Sequence, residues 1–293
     1  MLTTVVAGNI AITGTNPSLL RFPVNMNAPP VIGPLASDEL RDLAYAKTLL
    51  EHPGLTARLA NLLGSPLERG FAMLPERWSE TVGKATRSAL IRALELAIAT
   101  MGKRSARKSS EFFHKVLVGA SGGLGGAFGL AALPIELPIS TGIMLRSIAD
   151  IARSEGHDLR VTETNLACLE VFALGGRSSD DDAAENSYWP IRIALAKTIS
   201  EAATFIVERG VIEEGAPIII RLIGAIASRF GIIVSEQVAA KAIPVVGAAS
   251  GSIVNVLFID HFQDMARGHF IVKRLEAKYG TERVRRLYEE LAE

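Results

Sequence analysis

The run "KVLVGASGGLGGAFGLAALP", Lys115 to Pro134, holds the residues whose types and spacing most resemble catalytic machinery. Gly119-x-Ser121-x-Gly123 follows the apolar triplet Val116-Leu117-Val118. In a nucleophile elbow, a tight strand-to-helix turn lifts the serine clear of the backbone and the flanking glycines relieve the crowding. Asp260 or Asp264 with His269 would complete the order Ser…Asp…His, so one function the sequence allows is an esterase-like serine hydrolase with Ser121 as nucleophile. An elbow also needs strands ahead of it and a loop that supplies half of an oxyanion hole. Residues 37–115 carry helical periodicity instead, and no HGGG-like segment precedes Ser121. The preferred reading therefore assigns no catalytic residue and keeps Ser121 as the alternative. Neither glycine run is a phosphate loop: no Gly-Lys-Ser/Thr follows, and Phe128 occupies the last glycine position of Gly-x-Gly-x-x-Gly.

Four further groups could do chemistry. Glu136 sits between Pro134 and Pro138 in "LPIELP", either as a carboxylate perturbed by apolar surroundings or, as preferred here, in a partly solvated turn between two helices. Arg146 and Asp150, four apart in "MLRSIADIA", read as an ion pair on a helix face. His261, Met265 and His269 share a helical face, with Asp264 at i+3 from His261; this allows a His-Asp-His metal site, but ordinary helical spacing is the preferred reading, and no metal and no cofactor are assigned. Lys103, Arg104, Arg107 and Lys108 cluster just ahead of the apolar run, within a stretch from Lys84 to Lys115 that has eight basic and two acidic residues. Such a cluster suits an anionic membrane surface.

The elements that must position these groups read as helices. Gly119/Gly123, Gly122/Gly126 and Gly125/Gly129 are spaced i, i+4, the pattern that lets two helices meet at backbone distance. A later run repeats it with Gly247, Gly251 and Asn255. Val116–Ile135 is 20 uncharged residues, about 30 Å as a helix, and Ala242–Ile259 is 18. Pro134 and Pro138 are expected to break the first run. Both runs are marginal as spans, and a buried helix pair is favoured over an interfacial hairpin.

Residues 1–36 contain five prolines and read as an irregular arm, with one short strand expected near Val5 to Ile12. Ser37 is expected to cap a first helix whose core face is Leu40, Leu43, Ala44, Lys47 and Leu50. A later helix should bury Leu90, Leu94, Ala97, Ile98 and Met101. Helices are expected to about Gly156, to the Gly175-Gly176 pair, over 190–209 and 217–241, and in a charged tail from Asp260, with the acidic loop 177–187 as an internal joint. The fold class is all-α: about nine or ten helices in one large domain over 37–293.

The bulk composition agrees with this. The 293 residues balance 31 Lys plus Arg against 31 Asp plus Glu, which offers no global field for nucleic acid. The chain is 48% hydrophobic but 6% aromatic, with mean hydropathy +0.28, so its apolar content is aliphatic and suits close-packed helices. Cys168 is the one cysteine, and the first residues lack a basic n-region, so a cytoplasmic protein is expected.

Three segments, "GGLGGAFGLAALPIELPISTGIMLRSIADIARSEG", "LACLEVFALGG" and "SRFGIIVSEQVAAKAIPVVGAASGSIVNVLFIDHFQDMARGHFIVKRLE", resemble the EcsC protein family, over about residues 40–290 in the same order. The resemblance implies a bacterial, helical, membrane-associated protein, named after an ABC-exporter operon, with no agreed activity and no catalytic residues to carry over. It implies a location at the cytoplasmic side of the inner membrane. The partners expected are an anionic membrane surface or a hydrophobic ligand, with membrane transport proteins as further candidates.

Overall fold

The computed structural model describes residues 31, 33–51, 55–63, 67–100, 129–175, 188–209, 215–243 and 247–291. They form ten α-helices and, among the described residues, no strand. In chain order these are α1 (Ser37–Glu51), α2 (Leu55–Leu63), α3 (Glu68–Ala72), α4 (Trp78–Thr100), α5 (Gly129–Ser154), α6 (Thr162–Glu170), α7 (Tyr188–Arg209), α8 (Pro217–Ala242), α9 (Gly247–Tyr279) and α10 (Thr281–Glu290). A 3-10 turn, Val171–Ala173, continues α6. The expected strand at Val5 to Ile12, the loop 177–187 and Gly119 to Phe128 lie outside the described residues.

Helix α6 is the centre of the packing. Every residue from Thr164 to Leu174 is buried, so beyond its first two residues this short helix has no solvent face and no amphipathic stripe. Phe172 at its end stacks on Phe230 and Phe262, with ring centroids 5.0 and 5.3 Å apart, and Phe258 joins the cluster from α9.

Helices α8 and α9 form an antiparallel hairpin. Gln237 Nε2 donates to Asn255 Oδ1 at 3.0 Å, and Phe230 meets Phe262 further from the turn. Helix α5 runs parallel to α9: Gln263 Nε2 donates to Ser147 Oγ at 2.8 Å, and about three turns further along α9 Arg274 Nε donates to Glu155 Oε2, just past the end of α5, at 3.1 Å. The start of α5, the end of α8 and the start of α9 therefore share one end of the bundle.

Two expectations are corrected here. Pro134 and Pro138 do not break the chain: α5 is continuous through both, and Glu136 lies inside a helix rather than in a turn. An interior proline costs about 3 kcal/mol. Burial of Leu133, Leu137, Met144, Leu145 and Ile148, roughly 2 kcal/mol each, outweighs that cost. The helix ends as Gly156 takes φ +89°, with His157 N donating to Ala152 O and Gly156 N to Arg153 O, both at 3.0 Å, a Schellman motif.

The face of α1 is also rotated from the expected one. Glu39, Leu43, Ala46 and Leu50 are buried, whereas Leu40 is 40% exposed. Helix α1 begins at Ser37 itself, and the N–H of Ala36 donates to Glu39 Oε2 at 3.3 Å, one half of a capping box. The expected face of α4 holds at Leu90, Leu94 and Ala97.

The glycine rows at 119–126 lie outside the described residues, but close helix approaches occur elsewhere. A Cβ on Gly70 in α3 would run into the backbone of Ala239 in α8, and one on Gly268 in α9 would come within 2.6 Å of Leu50 in α1.

Candidate functional site

The largest concentration of buried titratable groups lines the second half of α9. Arg192 of α7 makes two parallel bonds to Glu276, Nη1 to Oε1 at 2.8 Å and Nη2 to Oε2 at 2.9 Å. The same guanidinium lies over the rings of Tyr188 and Trp189, 5.3 and 5.1 Å from their centroids. Tyr188 Oη is 3.1 Å from Nδ1 of His269, and Glu170 Oε2 is 3.4 Å from its Nε2, a contact looser than a good hydrogen bond. Burial pushes the Glu170 carboxyl up; burial, then Arg192 and Lys273, hold the His269 imidazole well down. The pair thus favours its neutral forms. Chemically this is a carboxyl–imidazole–phenol chain able to hold a proton, closed inside the core with His269 fully buried.

A second charged layer ties α1 and α5 to the same half of α9. Arg274 bridges Asp42 at 2.8 Å and Glu155 at 3.1 Å, and Glu39 accepts from Lys278 at 2.8 Å and Tyr279 at 2.5 Å. Lys47 Nζ donates to the Tyr288 and Leu291 carbonyls at 3.2 and 2.6 Å, satisfying the C-terminal end of α10.

The residues singled out by sequence do not converge. His261 is buried against Gly175, whose φ of +76° and missing Cβ leave room for the imidazole and for Met265 Sδ. Burial, with Arg58 nearby, pushes His261 down to about 4. Asp264 instead faces Arg58, 2.9 Å away, and His269 belongs to the Glu170–Tyr188 chain. Among the described residues no group of three His, Cys, Asp or Glu could hold a metal ion. Asp150 pairs with Arg153 at 2.7 Å on an exposed face, rather than with Arg146. Glu136 accepts from Lys241 of α8 at 2.9 Å. Ser121, Lys103, Arg104, Arg107 and Lys108 lie outside the described residues.

Sequence reasoning missed Glu170, Arg192 and Glu276, and also Glu236, which accepts from Thr56 Oγ1 at 2.6 Å and which burial pushes up to about 7. A signal existed for two of them: Glu170 in "LACLEVFAL" and Glu236 in "IIVSEQVAA" are lone carboxylates in apolar runs, as Glu136 is. Helix α8, the apolar helix among the described residues long enough to cross a bilayer, has a mean hydropathy of 1.9 in its most apolar window, and 44% of that window is buried in the fold.

One open depression of about 450 Å³ lies along the outward face of α4, lined by Lys84, Arg87, Ser88, Ile91, Arg92 and Glu95. Lys84 also pairs with Glu80 at 3.0 Å.

Taken together, the described helices form one all-α domain built around a buried polar layer. The EcsC protein family matches residues 37–275, from the first residue of α1 into the second half of α9, and the chain belongs to that family. No curated protein matches the chain, and no solved structure does.

Proposed function

We propose that the protein acts without catalysis, as a helical module held peripherally on an anionic membrane surface at the cytoplasmic side of the bacterial inner membrane. The observation that carries this reading is the outward face of α4, where Lys84, Arg87 and Arg92, against Glu95 as the acidic member of the lining, border an open depression with Ile91. In sequence that face leads straight towards Lys103, Arg104, Arg107 and Lys108, a locally basic stretch in a chain whose charges balance as a whole. Each basic residue near such a surface is worth about 1 kcal/mol, enough in sum for reversible attachment. The described residues supply no sheet for a nucleophile elbow to stand on, which counts against the Ser121 alternative.

Co-sedimentation with phosphatidylglycerol vesicles at rising salt tests it. Binding should weaken with salt and fall in a variant with Glu at 103, 104, 107 and 108. Binding that is absent, or indifferent to salt and charge reversal, contradicts it. Fluorophosphonate labelling that disappears in Ser121→Ala would replace it with the hydrolase.

A further inference from the structure

The described charges are distributed unevenly along the long axis of the bundle. Along α9, Gly247 to Ile259 has no charged residue, whereas Asp260 to Tyr279 has seven. Helix α5, parallel to it, carries one charged residue in its first seventeen, Glu136, and three in its remaining nine. Where the start of α5, the end of α8 and the start of α9 meet, Glu136 and Lys241 neutralise each other, Glu236 is held on Thr56, and α3, packed on Ala239, adds the exposed and opposite charges of Glu68 and Arg69. Buried ion pairs and charged hydrogen bonds gather at the opposite pole, around Arg192, Arg274 and Lys278.

The uncharged pole exposes large apolar side chains. Ile135 is 67% exposed and Ile139, one turn on, 46%, so they form a stripe on α5; Val256 on α9 is 53% exposed. Single exposed apolar residues are ordinary on a protein surface. Ile193, 55% exposed, is one: it adjoins Arg192 at the charged pole. The stripe on α5 differs because it lies at the end of the molecule where α5 and α9 both begin with uncharged sequence, and because the Glu136–Lys241 pair leaves little net charge beside it for a charged protein partner to read.

We infer that this pole, through Ile135 and Ile139 of α5 and Val256 of α9, is the part of the protein that enters the interfacial layer of a lipid bilayer. The inference rests on the membrane reading above and deepens it: basic residues bring the protein to an anionic surface, and the isoleucine stripe seats among the acyl-chain ends while the charged pole stays in water. The chemistry matches a bilayer boundary, which takes aliphatic side chains and asks for no directional contact. Lys241, at the rim of the stripe, has an ammonium able to remain at the headgroup level.

The test is vesicle co-sedimentation of the full chain with phosphatidylglycerol liposomes, comparing wild type, Ile135→Asp/Ile139→Asp, the uncharged Ile135→Asn/Ile139→Asn, and Ile193→Asp as control. All three positions are exposed, and circular dichroism melting verifies that each variant is folded. Both double variants are expected to bind less, the Asp pair by about tenfold or more, and Ile193→Asp to bind as wild type. The Asn pair separates lost apolar insertion from added charge repulsion. Wild-type binding that all the variants share overturns this inference and leaves the membrane reading standing. Wild-type protein that does not bind vesicles at all overturns both. If the stripe substitutions instead convert an oligomer into a monomer in native mass spectrometry, with vesicle binding unchanged, the pole is a self-contact and the inference fails.

Discussion

The two halves of α9 solve opposite problems with one continuous helix. From Asp260 onwards it carries charges, several of which pair across the fold, with Glu276 on Arg192, Arg274 on Glu155 and Asp42, and Lys278 on Glu39. Before Asp260 it carries none, and its described contacts are aromatic or amide, Phe258 on Phe230 and Asn255 to Gln237. Buried ion pairs give little net stability but are costly to break singly, so the charged half fixes which helices sit together. The uncharged half relies on close packing, which is tolerant of partner but not of volume. Geometry is specified at one pole, and the other is left free to meet an apolar phase.

Breaking one partner at the charged pole should have the largest effect. Arg192→Met leaves Glu276 buried and unpaired, and should cost about 3–5 kcal/mol in urea denaturation. The double variant Arg192→Met/Glu276→Leu should recover most of that loss. A single variant as stable as wild type would show that the pair does not organise this pole.

The other pole can be probed through its buried carboxyl. Glu236 is raised from 4.5 to about 7 by burial, so the folded state holds its proton more tightly than the unfolded chain does. Its contribution is fully present below about 4.5 and is lost as pH rises through about 7, a swing of about 3 kcal/mol at most. His157 and His261 act in the opposite sense: burial lowers both to about 4, and their contribution is lost as pH falls from 6.5 towards 4. Comparing wild type with Glu236→Gln cancels the histidines. Melting temperatures from pH 5 to 8 should show the Gln variant gaining on wild type as pH rises; parallel curves would place Glu236 in contact with water.

Gly70→Ala tests volume at the same pole. The new methyl would meet the backbone of Ala239, which cannot swing aside, and an overpacking cost of about 1–3 kcal/mol follows. Unchanged thermal stability would mean that α3 does not sit tightly on α8. At the small end, Arg153→Ala removes an exposed pair with Asp150 and should change stability by less than about 0.5 kcal/mol.

Much of this contrast was legible in the sequence, and the misreadings share a cause. The all-helical fold and the faces of α4 follow from periodicity, because apolar residues at Leu90, Leu94 and Ala97 have one way to be buried. The face of α1 was misplaced because Glu39 is buried in place of Leu40, and only Lys278 and Tyr279, some 240 residues away, make that affordable. Pro134 and Pro138 were read by local rules, and tertiary packing along α5 overrides them. The Arg192 cluster was hidden for the same reason: its members are drawn from α6, α7 and α9, and no spacing within one helix reveals a carboxylate whose partner lies 84 residues away. The isolated carboxylates Glu170 and Glu236 in apolar runs are the part of this pattern that is visible in the sequence.

The division of labour between the poles is tested most directly by a polarity-sensitive fluorophore placed on Ile135→Cys and, separately, on Ile193→Cys. Cys168 is buried in α6, so the introduced thiol is the accessible one among the described residues. On addition of phosphatidylglycerol vesicles, the probe at 135 should shift to the blue and become shielded from an aqueous quencher, while the probe at 193 stays in water. Equal responses at the two positions, or a response at 193 alone, would contradict the account.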